Sequence, residues 1–475
     1  MNAESSMPSR REFLQKSGFG MGAVAASGIL GSLGELTADE AESSPLAVRQ
    51  PHFAPKAKRV IHLFMNGGPS QFDTFYRKPM LEKFNGKSVP KKFTDALQRT
   101  QRNRAGTAFA TPFTWKRYGE SGLEISELFK HTAEHADELC VVNSMVSEIA
   151  NHSPGLFMMN CGHPTLPRPS LGSWVLYGLG TESESLPGYV VLLPQGSPTG
   201  QSRNWTSAFL PGVFQGTHIE TQKKELIPNL TRDDVDPRDQ RSQIALTRFL
   251  NNRHYQNRPV DSRLESRIHS MELAFRMQSS ATDAFDISSE PADVRELYGD
   301  TPHGRMMLTA RRLAERGVRY VQTYHGNGQP WDQHSAIVTA HQRNAEQTDK
   351  PIAALLTDLK RLGMLDETLV IWSGEMGRTP TIQTGQKNPD KVGRDHHVDG
   401  FTLWMAGGGV KGGMTYGTTD ELGFAPTENP VHVHDLHATI LHLLGFDHKR
   451  LTYRYSGRDF RLTDVHGHVV NDIIA

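Results

Sequence analysis

Residues 355–379 read LLTDLKRLGMLDETLVIWSGEMGRT. Leu355, Leu359 and Leu362 are spaced four and three apart, which puts them on one helix face, and Gly363 just beyond is a helix stop. Leu369–Trp372 is then an unbroken apolar run, short enough for a strand buried on both faces. The polar loop Ser373-Gly-Glu-Met-Gly-Arg-Thr379 follows at once. Helix, short turn, buried strand and polar loop form the repeating unit of a parallel α/β sheet.

Similar runs occur along the chain at Val60–Met65, Leu139–Met145, Tyr189–Leu193, Val318–Tyr324 and Phe401–Ala406. Between them lie helical patterns, among them Leu264, Ile268, Met271 and Phe275, and Leu436, Ile440 and Leu443 before Gly445. The expected fold is α/β, a mostly parallel central sheet flanked by helices on both faces. Residues 42–57 read as a linker and 58–475 as a single domain. A helical, charged insertion at about 200–300 interrupts it.

Composition narrows the function. The 475 residues carry 52 basic and 52 acidic side chains, which disfavours a nucleic-acid binder. Mean hydropathy is −0.50, against an integral membrane protein with stable spans. Two cysteines, Cys140 and Cys161, exclude a disulfide scaffold and a cysteine-based zinc cluster; whether they pair is left open. The 22 histidines stand out, with twelve from His325 onward, so metal or acid–base chemistry is sought in the C-terminal third.

The N-terminus reads as an address. Arg10-Arg11, Phe13-Leu14 and Lys16 precede a weak apolar stretch from Gly18 to Leu30, resembling a twin-arginine export signal over residues 1–41. Its loss leaves 49 basic and 47 acidic groups. This predicts passage through the twin-arginine machinery to a periplasmic or extracellular location, with no stable membrane span.

Ligands of open α/β sheets bind beyond the carboxyl ends of the strands. The loop after Val60–Met65 supplies Asn66 and Asp73. The loop after Leu139–Met145 supplies His152 and Ser153, a covalent-catalysis pair or, for Ser153, a helix cap. The loop after Val318–Tyr324 supplies Asp332 and His334, two apart and able to chelate one ion. The loop after Leu369–Trp372 supplies Glu375, whose burial demands a cation or Arg378. Just before Phe401–Ala406 come Lys391, Arg394, Asp395, His396 and His397. The last two face opposite ways in an extended chain, so at most one is a ligand. Arg378, Lys391 and Arg394 are suited to an anionic substrate group, and Asp395 to orienting an imidazole. His434 and His437 read as structural. Asp73, Asp332, His334, Glu375 and His396 thus form an expected metal set, with Zn²⁺ or Mn²⁺ favoured by the donor types.

The segments Asn66–Phe75, Trp331–His334, Ser373–Pro380 and Gly393–His396 resemble the bacterial domain-of-unknown-function family 1501, which is similar to the alkaline phosphatase and sulfatase superfamily. Phe209–Thr217 and Ala310–Arg319 resemble it too. The resemblance spans about residues 55–475. It implies one or two divalent metals and hydrolysis of sulfate or phosphate esters, with an anionic small molecule or polysaccharide as substrate. Asp73, Asp332, His334, Glu375 and His396 match its metal positions, and His152 matches its nucleophile position, with Ser153 the next nucleophile. The chain departs from the pattern at Met376, where a histidine is usual, and at Leu156, where sulfatases have arginine. These departures argue against formylglycine chemistry. They also motivate an alternative, a non-catalytic periplasmic or cell-surface binding module.

Overall fold

A computed structural model describes residues 45–94, 105–223, 283–383 and 391–475, with scattered positions between 226 and 277. The expected signal peptide, and most of the helix expected over 264–275, lie outside the described residues.

Twelve strands set the frame: β1 (Arg59–Phe64), β2 (Ala105–Ala108), β3 (Leu139–Val146), β4 (Tyr189–Leu193), β5 (Thr217–Glu220), β6 (Tyr320–Tyr324), β7 (Thr368–Ser373), β8 (Gly377–Gln383), β9 (Arg394–His397), β10 (Asp399–Ala406), β11 (Met414–Tyr416) and β12 (Val431–His432). Nine make the central sheet, in the order β11-β3-β10-β7-β1-β6-β4-β5, with β12 also paired to β3. All six apolar runs read as strands are in it. β1 pairs in parallel with β6 and β7, β4 with β6 and β5, and β3 with β11 and β12. β10 is antiparallel to both β3 and β7. Consequently β1, β3, β4, β6 and β7 all end at one edge, and β10 begins there.

Seven helices are used below: α1 (Gln71–Thr74), α2 (His152–Cys161), α3 (Leu171–Leu179), α4 (Ala292–Tyr298), α5 (Pro302–Glu315), α6 (Ile337–Arg361) and α7 (Val433–Leu443). The strands are apolar on both sides because helices cover both sides. Ile61, Leu63, Val370 and Trp372 pack with α4, α5 and α6, whereas Val60, Phe64, Leu369 and Ile371 pack with α2, α3 and α7. This is the period-2 alternation of a strand buried on both faces.

Local chemistry fixes the helix ends. Thr301 accepts from Gly304 N at the start of α5, with Pro302 in the first turn. His432 and Asp435 form a capping box at α7. α2 ends at Gly162, whose φ of 66° is left-handed. His434 and His437 tie α7 to α2 through the Gly162 and Met159 carbonyls at 2.9 and 2.8 Å.

Within the expected insertion, Thr217–Glu220 is the edge strand of the central sheet, so the sheet itself continues past residue 200. A second sheet, β9-β8-β2, rises from the carboxyl edge directly after β7. No helix among the described residues is long and apolar enough to cross a membrane.

Candidate metal centre

Four side chains meet at the carboxyl edge. His152, Asp332, His334 and His396 each offer one ligand atom, and these atoms lie within 4.8 Å of one another. They come from three places: the first residue of α2, the loop between β6 and α6 (two of them), and β9. His396 and His397 do face opposite ways. His396 points into the cluster, and His397 is fully buried, edge-on to Phe424.

Asp332 is the hub. Its Oδ1 lies 3.0 Å from His334 Nε2, 3.2 Å from His396 Nε2 and 2.7 Å from Arg378 Nη2, and its Oδ2 lies 3.1 Å from His152 Nε2. Behind each ring stands an acceptor for Nδ1–H: Glu375 Oε1 for His152, Gln383 Oε1 for His334 and the Ala150 carbonyl for His396, each at 2.6 Å. A ring that donates from Nδ1 presents a lone pair at Nε2. All three Nε2 atoms therefore offer lone pairs to the same small volume.

Such an array is not self-satisfied. His334 Nε2 and His396 Nε2 are 3.0 Å apart, and two lone pairs at that distance need a proton or a cation between them. His152 Nε2 is buried and lacks a properly aligned hydrogen-bond partner. The electrostatics draw positive charge to this point, a proton on His152 or a cation in its place. Burial works to lower the His152 pKa, but the Asp332 and Glu375 carboxylates prevail and push it up to about 9. Burial works to raise the Asp332 carboxyl, but His152, His334, His396 and Arg378 hold it far below the usual carboxylate range. Burial lowers His396, with support for its charged form only from Asp332 and the Ala150 carbonyl. Three imidazoles, one of them with an orphaned nitrogen, and one carboxylate could hold a metal ion.

The other expected residues lie around this cluster and serve it differently. Glu375 is fully buried between β7 and β8. It accepts from Gly67 N with both oxygens at 3.0 Å, and from His152. Asp73, on α1, is outside the four-residue cluster; its carboxylate accepts from Arg394 Nε at 2.9 Å and from the Ser70 hydroxyl. Burial would raise the Asp73 carboxyl, and Arg394, His341 and Ser70 together hold it below its ordinary value.

Three residues expected to bind substrate are closed to it. Arg394 is fully buried and shared among Asp73 and the Thr379 and Phe109 carbonyls. Arg378 is equally buried, its guanidinium on Asp332 and the Gly67, Gly68 and Trp331 carbonyls. Asn66 ties its own loop to Gly326, Gly328 and His325. Arginines and amides close to a cleft look alike in sequence whether they face solvent or brace the loops. Lys391 is exposed.

Ser153 is partly buried at the second position of α2, where Asn151, not Ser153, is the N-cap. Asp395 Oδ1 is 3.7 Å from His334 Nδ1, farther than Gln383. Gln383 and the Ala150 carbonyl escaped sequence reading because a strand-end glutamine and a backbone oxygen carry no motif.

Glycine lets the loops close in. A Cβ at Gly67, where φ is +112°, would lie 2.6 Å from Asp332 N, so only glycine lets this amide reach Glu375 beside the Trp331–Asp332 backbone.

No curated protein matches the chain. Among solved structures it is similar to the lipoteichoic acid synthase LtaP from Listeria monocytogenes, at 10% identity over 88% of this chain and 78% of that one, with a TM-score of 0.35. It is also similar to the PsFucS1 sulfatase from Pseudoalteromonas sp., at 13% identity over 84% and 68%, TM-score 0.33. A protein of the alkaline phosphatase superfamily from Vibrio parahaemolyticus matches at 10% identity over 85% and 70%, TM-score 0.36. Residues 57–474 match the family described as Protein of unknown function (DUF1501), and the chain therefore belongs to that family.

Proposed function

We propose that this chain is an exported, metal-dependent hydrolase of sulfate or phosphate esters, its ion held by His152, Asp332, His334 and His396. One observation carries the reading: three imidazole Nε2 atoms, each with Nδ1 tied to an acceptor, converge with Asp332 on one point. When bound, a divalent ion supplies Lewis-acid polarisation of an ester oxygen and a water acidic enough to ionise near neutral pH.

The chain's own residues do the rest. Gln383, Glu375 and the Ala150 carbonyl hold the three rings in one tautomer and orientation. Arg378 offsets the charge of Asp332 from the protein side. The His334 side chain, 34% exposed against 10% for His152 and 13% for His396, marks the open side by which an ester enters. Exposed Lys391, three residues before β9, is a cation that an anionic substrate, small or polymeric, could meet. Ser153 supplies a hydroxyl beside His152, and His152 acts as a ligand of the ion.

Metal analysis of the purified protein tests this, with Asp332→Ala beside it. Bound zinc or manganese that is lost in the variant, with turnover of aryl phosphates or sulfates by the parent, is the expected result. A metal content unchanged by the substitution would sink the site. Bound metal without turnover of any ester in a broad panel would favour the binding-module reading. For export, Arg10→Lys with Arg11→Lys is expected to hold the precursor in the cytoplasm; normal appearance in the periplasm would refute the twin-arginine route.

A further inference from the structure

We infer that Glu375 is a positioning carboxylate that acts on the metal through His152, and is not itself a ligand. The inference rests on the metal reading of the His152–Asp332–His334–His396 cluster.

The geometry divides the His152 ring between two partners. Nδ1 lies 2.6 Å from Glu375 Oε1, and Nε2 lies 3.1 Å from Asp332 Oδ2. The imidazole therefore stands between the Glu375 carboxylate and the convergence point. Both Glu375 oxygens are also held by Gly67 N at 3.0 Å, which fixes the carboxylate in this place. α2 packs directly on its stem: a Cβ at Gly155 would sit 3.5 Å from Glu375 Cγ. The side chain is fully buried, held between the Gly67 amide and α2.

A carboxylate that accepts Nδ1–H does two things to an imidazole ligand. It locks the tautomer that leaves Nε2 unprotonated, and it raises the donor strength of Nε2. The other two rings are hydrogen-bonded at 2.6 Å to neutral oxygens, an amide and a backbone carbonyl, with the Asp395 carboxylate 3.7 Å from His334 Nδ1. His152 alone has a carboxylate at hydrogen-bond distance from Nδ1, and that carboxylate is Glu375. The same arrangement explains how a carboxylate with no exposed surface is tolerated at a strand end.

A double-mutant cycle on zinc affinity tests the assignment. Zn²⁺ binding is measured by competition with a chromophoric chelator in four proteins: the parent, Glu375→Gln, His152→Ala and the double variant. Gln keeps one acceptor but turns an amino group toward Gly67 N–H and removes the charge. We expect Glu375→Gln to weaken zinc binding about 10- to 100-fold in the parent and to have almost no effect when His152 is already alanine. An equal loss in both backgrounds would make Glu375 a direct ligand, and no loss in either would make it a bystander; both overturn the inference. Glu375→Asp, which keeps the charge but withdraws it by one methylene, runs through the same cycle should the glutamine variant fail to fold, and the same pattern is expected. Asp332→Asn is the separate control: zinc binding as tight as the parent's would overturn the metal site itself, whatever Glu375 does.

Discussion

Asp73→Asn separates a brace from a ligand. The Asp73 carboxylate is 1% exposed and the Arg394 side chain fully buried, with Nε and Nη2 at 2.9 and 3.4 Å from the two carboxylate oxygens. Removing one partner of a buried ion pair costs about 3–5 kcal/mol, because the other charge stays buried without its counter-ion. Arg394 keeps two carbonyl acceptors, Thr379 O at 3.2 Å and Phe109 O at 3.0 Å, and lies over the Phe109 ring. That support places the expected loss at the lower end, about 3 kcal/mol. The assay is urea unfolding at neutral pH, read as a lower midpoint at unchanged slope, alongside metal content of the folded protein. The variant is expected to unfold earlier and to keep its full complement of metal. Asp73→Leu combined with Arg394→Met is expected to recover most of the loss, since an apolar pair of similar volume needs no compensation. Metal lost from Asp73→Asn as completely as from Asp332→Asn would refute this reasoning and return Asp73 to the centre.

Three further outcomes follow from buried groups. Gly67→Ala introduces a side chain at φ +112° against the Asp332 amide, and is expected to destabilise by about 2–4 kcal/mol from backbone strain and overpacking together; a melting temperature equal to the parent's would refute the close approach. His62, His341 and His437 are fully buried, and burial lowers each to about 3 from 6.5. The unfolded chain protonates these rings below about pH 6.5 and the folded chain only near 3, so stability is level above 6.5 and falls as the pH drops below it. The slope is up to about 1.4 kcal/mol per pH unit per ring, and a urea midpoint unchanged from pH 6.5 to 5 would contradict it. Cys140 and Cys161 are both free, buried and pushed up to about 12 by burial, so a thiol reagent is expected to label neither in the native protein and both after unfolding; rapid labelling of the folded chain would refute it.

The sequence was most legible where one physical demand dominated. A strand covered on both faces must be apolar throughout, and each of the six runs chosen on that ground lies in the central sheet. A parallel sheet collects its loops at one edge, where Asp332 and His334 meet His396 of the second sheet, more than sixty residues away in the chain. The helical pattern ending at Gly363 appears as α6, far longer than the pattern that revealed it, because residues 339–348 are mostly polar and give no apolar stripe.

What the sequence concealed is which partner satisfies each buried charge. That Glu375 at the end of an apolar strand must be compensated follows from its burial alone. Cation, arginine and imidazole are equally good answers on paper, and the structure adds one that no side-chain pattern encodes, the Gly67 amide. The arginines show the converse. In sequence Arg378 and Arg394 look suited to an anionic substrate because they flank the loops that open at the sheet edge. Each instead closes on an aspartate and several carbonyls, holding the loops against one another. His152 is the sharpest case. Its position in the chain suggests a group at the reacting centre, but its two nitrogens point to different carboxylates, and only the fold shows which faces inward. A buried polar residue announces that it has a partner. The identity of that partner is a property of how the chain's distant segments meet, and at this sheet edge it decides which carboxylate can touch a cation and which can only steer the ring that does.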